Sequence, residues 1–101
     1  MTRTNKIEPA LILNAVAREY SLGDGKALLY NMRTGQIVEA REVAVWALRQ
    51  AGLKNKDIAD VLGFTKNHIS RIVKNITDKI QTTPDFKSRL DRIQDKINLY
   101  F

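Results

Sequence analysis

The residues best suited to chemistry lie in one run, NKDIADVLGFTKNHISRIVK, from Asn55 to Lys74. From residue 66 onward, helical spacing puts Ile69, Ile72, Val73 and Ile76 on one side and Lys66, Asn67, Ser70, Arg71 and Lys74 on the other. Arginine and lysine donate to guanine acceptors, asparagine pairs with the adenine edge, and any of these groups can hold a phosphate. The outward stripe therefore has the chemistry to read a duplex from the major groove, and double-stranded DNA is the expected partner. The plainer alternative is that Lys66, Arg71 and Lys74 form the solvated face of a helical bundle.

Other chemistries find less support. The chain has no cysteine and one histidine, His68, which excludes thiolate metal sites, disulfides and multi-histidine sites. His68 is expected either to touch a thymine methyl or a phosphate, or to pack near the turn. The carboxylates are scattered without a convincing catalytic pair. The expectation is no enzyme, no cofactor, no metal and no small-molecule substrate.

Composition agrees with a DNA partner without requiring one. With 17 Lys and Arg against 11 Asp and Glu, the net charge is +6, which favours a polyanion. At 44% hydrophobic and 28% charged residues the chain should fold, and 101 residues suit one domain over 1–101 with a modest core. No apolar run approaches the roughly 20 residues of a membrane span, so no membrane association is expected. The polar N-terminus shows no signal peptide, and a cytoplasmic location is expected.

The stripe needs elements to hold it. Helical periodicity predicts a first helix over 8–20, a turn at Gly23, Asp24 and Gly25, and a short helix from Lys26 to Tyr30. A second break at 32–36 precedes a helix from Val38 that ends at Gly52, a residue suited to a left-handed cap. That helix carries Trp46, expected as a core anchor. Asn55 is then read as the N-cap of a helix over Lys56 to Leu62. Gly63 and Phe64 make the turn, with Phe64 plugged into the core, and Thr65 caps a helix running to about Gln81. Ile58, Ala59 and Leu62 face inward, with Ala59 small where the two helices cross. Two helices three or four residues apart make a helix-turn-helix over about 55–81. Pro84 opens a last amphipathic helix to about residue 98, whose Phe86, Leu90, Ile93 and Ile97 serve either as core or as a dimer seam. The fold expected is all-α, with five to six helices.

In this order the elements resemble the C-terminal, Trp-repressor-like DNA-binding domain of the bacterial replication initiator DnaA, over roughly residues 10 to 97. Ile12, Val16, Ala17 and Tyr20 match its opening helix. Arg41, Val43 and Ala44 match the helix that braces its recognition unit. Residues Gly63 to Ser70 stand where the family has its G-G-R-D-H-T-T signature, with Gly63, His68 and the Ser70 hydroxyl kept in kind. Asn67 stands in place of the acidic residue, and Ile69 in place of a base-contacting threonine. Arg33 falls where the family inserts arginine into the minor groove. The family's nucleotide-binding region has no counterpart, because no G-x-x-x-x-G-K-[ST] occurs.

The resemblance implies sequence-specific binding of double-stranded DNA, in transcription or replication, by a small bacterial or phage regulator. The DNA-facing set would be Thr65, Lys66, Asn67, His68, Ser70, Arg71 and Lys74, with Arg33 in the minor groove and Lys54 and Lys56 on phosphates. The alternatives are a protein-interaction module or a nonspecific DNA-binding accessory protein. A homodimer is compatible with either, since helix-turn-helix domains often pair to read palindromes.

Overall fold

The computed structural model describes residues 9–23, 25, 28 and 35–98. The expected short helix over 26–30, apart from the buried Leu28, the Arg33 loop position and the last three residues lie outside the described residues. Among the described residues there are five α-helices and no strand: α1 (Pro9–Glu19), α2 (Gly35–Gln50), α3 (Asn55–Leu62), α4 (Lys66–Thr82) and α5 (Pro84–Asn98). The protein is all-α.

Apolar stripes at helical spacing dictate the packing. α2 packs against α1, α3 and α4, and α5 closes the arrangement against α1 and α4. α2 is the helix most enclosed by its neighbours, burying Ile37, Ala40, Val43, Ala44, Val45, Ala47 and Leu48 on several sides. One contiguous core joins these, Ile37 excepted, to Ile12 and Val16 of α1, Ile58 and Leu62 of α3, and Ile69, Ile72 and Ile76 of α4. From α5 it takes Phe86, Leu90, Ile93 and Ile97, so these four serve as core and are not left over for a dimer seam. Ala59, Phe64, Val73 and Trp46 are half-buried and pack on the edge of this core.

The helix ends follow their local chemistry. After α2, the Gly52 amide bonds to the Arg49 carbonyl and the Leu53 amide to the Leu48 carbonyl, with Gly52 at φ +101. This is a Schellman closure with glycine at the left-handed position. The same closure ends α1, but there a serine, Ser21, sits at φ 58. Just beyond, Gly25 is buried against α1 and its amide donates to Asn14 Oδ1 at 2.7 Å. A Cβ at Gly25 would lie 2.8 Å from Leu13 Cβ and 2.9 Å from Asn14 Oδ1, which explains a glycine there.

Two boundaries differ from expectation, both through tertiary partners. α2 begins at Gly35, three residues before Val38, because Ile37 is buried and Gln36 Nε2 donates to the Tyr20 carbonyl. The N-cap of α3 is Lys54, with no side-chain cap bond, and Asn55 is already helical. The Asn55 amide instead donates to Ser70 Oγ at 3.1 Å, across to α4.

Candidate nucleic-acid interface

α3 and α4 are joined by a turn at 63–65 whose three residues divide the work. Gly63 occupies the left-handed region at φ 78, and its amide bonds to the Ala59 carbonyl at 2.8 Å, closing α3. Thr65 is extended, and its Oγ1 accepts from the His68 amide at 3.1 Å, capping α4. The Phe64 side chain between them packs its ring against His68, edge to face, with centroids 4.8 Å apart. His68 is half-buried, with its ring against the turn.

Arg41 holds this turn from α2. It is only 8% exposed, its Nη2 donates to the Leu62 carbonyl at 2.6 Å, and its guanidinium lies 4.5 Å from the centroid of the Phe64 ring. Burial presses its pKa down from the ordinary guanidinium value. The bond satisfies a carbonyl in the last turn of α3, where helices leave acceptors open.

Beyond the turn, α4 separates cleanly into two faces. Ile69, Ile72 and Ile76 are buried, while Lys66, Asn67, Ser70, Arg71 and Lys74 are exposed, as are Lys54, Lys56 and Thr65 alongside them. From Lys66 to Lys74 the helical rise spans about 12 Å. No acidic residue occupies the first turn of α4. Ser70 is partly committed, since its hydroxyl accepts from Asn55. The candidate residues of α4 and the start of α3 are thus exposed, with His68 half-buried beside them, while Arg33 lies outside the described residues.

The cations of this surface differ from those of α5 and the end of α4 in how they are neutralised, though among the described residues Arg18 and Arg49 likewise enter no ion pair. Among the described residues, Lys54, Lys56, Lys66, Arg71 and Lys74 enter no ion pair, whereas Lys79, Lys87, Arg89, Arg92 and Lys96 all do. Glu19, with a side chain only 10% exposed, meets Arg92 at 3.0 Å, Lys96 at 3.4 Å and Arg89 at 4.0 Å. Glu39 meets Lys79 at 2.9 Å and accepts from the Tyr20 hydroxyl at 2.5 Å, while Arg89 stacks over the Tyr20 ring. Burial alone would raise the Glu39 pKa, but the bonds from Lys79 and Tyr20 and the charges of Lys79 and Arg89 bring it below its ordinary value. Burial, then the bond and charge of Glu39, push the Tyr20 hydroxyl upward.

This second cluster was not visible in the sequence. Its two carboxylates are surrounded by cations and tie α1, α2, α4 and α5 together. Among the described residues, no group of three or more His, Asp or Glu is arranged to hold a metal, and no helix is long and apolar enough to cross a membrane. Comparison with protein-family models, curated proteins and solved structures finds no match.

Proposed function

We propose that this protein binds double-stranded DNA in a sequence-specific manner, with the N-terminal half of α4 in the major groove. The observation that carries the reading is the clustering of five exposed cations without ion pairs among the described residues, Lys66, Arg71 and Lys74 on α4 with Lys54 and Lys56 at the start of α3, next to an exposed Asn67. A helix terminus free of acidic residues adds favourable field for a phosphate. The major groove, about 12 Å wide, admits a helix of about 10–12 Å diameter with its side chains. In this reading Arg71 and Asn67 face base edges, while Lys54, Lys56, Lys66 and Lys74 hold phosphates.

Reading α3, the turn at 63–65 and α4 as a helix-turn-helix supports this docking, as does the resemblance to the DNA-binding domain of the replication initiator. Arg33 would then add a minor-groove contact, and the role would be regulation of transcription or replication in the cytoplasm. The test is selection of bound duplexes from a random-sequence pool, followed by titration of the winner. One enriched motif, bound far more tightly than the pool, is the expected result. Salt-sensitive binding without enrichment would reduce the function to nonspecific association, and no binding at all would point to a protein partner.

A further inference from the structure

A buried arginine beside a basic surface invites the assumption that it is one more phosphate contact. The geometry of Arg41 points elsewhere. We infer that Arg41 is a positioning residue for base discrimination, acting through Phe64 on the first turn of α4 and not on DNA itself. The inference rests on the DNA-binding reading above.

The contacts form a column from α2 to α4. Arg41 Nη2 donates to the last carbonyl of α3, that of Leu62, at 2.6 Å, and its guanidinium carbon lies over the Phe64 ring, 4.5 Å from the centroid. The ring meets His68 edge to face, and His68 is the residue whose amide Thr65 caps. Lys66 and Asn67 lie between Thr65 and His68, so the turn that sets their direction is clamped at both ends. A planar guanidinium suits this place because it stacks and donates in one fixed geometry, which an ammonium cannot copy. At 8% exposure the group is withdrawn from any partner surface. Base-edge hydrogen bonds demand placement within a fraction of an ångström, whereas phosphate contacts tolerate more.

Two variants separate positioning from contact. Arg41→Lys keeps the charge, and Phe64→Leu keeps an apolar plug and alters no charge at all. Each is compared with the unaltered protein for affinity to its selected duplex, affinity to random duplex, salt slope, and amide hydrogen exchange at His68 and Ile69 relative to core amides such as that of Val16. The expected outcome for both is about a tenfold loss on the selected duplex, little change on random duplex, an unchanged salt slope and faster exchange in the first turn of α4. Phe64→Leu carries the test alone if Arg41→Lys does not fold. An unchanged ratio of specific to random affinity in Phe64→Leu would overturn the inference. So would a loss on all duplexes with a salt slope shallower by about one in the uncharged variant Arg41→Gln, which marks a phosphate contact. If the unaltered protein enriches no motif, the sequence-specific reading itself fails, and these variants are not the cause.

Discussion

Removing single cations should separate the candidate interface from the rest of the basic surface. Counterion release makes the slope of log affinity against log salt about −0.9 per phosphate neutralised on duplex DNA. Lys54, Lys56, Lys66, Arg71 and Lys74 are exposed and enter no ion pair among the described residues. If all five meet phosphates the slope is about −4.5, and affinity falls roughly 500-fold between 50 and 200 mM salt. Any of them spent on a base lowers this figure by about one. Lys74→Ala should take about one unit off the slope and weaken selected and random duplexes alike. Lys87→Ala removes the same formal charge from α5, but that lysine is already matched by Asp91 at 3.0 Å, so the slope should stay within error. The assay is fluorescence anisotropy with a labelled random duplex over a salt series. A wild-type slope shallower than about −2, or equal effects of Lys74→Ala and Lys87→Ala, would refute the placement of the interface on α4.

Further outcomes follow from the positioning elements. Thr65→Ala removes the cap of α4 and should cost about 1 kcal/mol, or roughly 4–8 °C in melting temperature, measured by circular dichroism. Gly25→Ala forces a Cβ against Leu13 and Asn14, and overpacking of about 1–3 kcal/mol should appear as a lowered urea midpoint. Ser21→Gly relieves a left-handed serine and should raise the melting temperature, since glycine meets no Cβ penalty there. Because the folded protein holds the Glu39 pKa below its unfolded value, Glu39 contributes stability above the unfolded value that is lost as pH falls through the folded one. Glu39→Gln should therefore lower stability near neutral pH and flatten its acid limb, as read by urea unfolding across that range.

What the sequence made legible was local. Helical spacing places the Ile69, Ile72 and Ile76 stripe, and Gly63 and Thr65 mark the turn because positive φ and capping are decided within a few residues. Asn55 was misread as a cap because its amide finds Ser70, fifteen residues away, and α2 starts early because Gln36 reaches back to Tyr20. The Glu19 cluster is further out of reach, since its partners Arg92 and Lys96 lie 73 and 77 residues along the chain. Arg41 was assigned to the bracing helix through family resemblance, but its bond to Leu62 and its cover of Phe64 depend on how α2 crosses the turn.

Glu39 and Arg41 stand two residues apart on α2, yet one anchors α4 near its far end through Lys79 and the other fixes the turn at its start. The framework that aims α4 thus shares no residue with the outward positions Lys66, Asn67, Arg71 and Lys74. Those four side chains are free to change identity without cost to the core, Ser70 being the one stripe position with a duty to Asn55. If α4 reads DNA as proposed, a protein built this way can acquire a new target by exchange of a few surface letters, and the same division makes it a scaffold onto which a chosen specificity can be written.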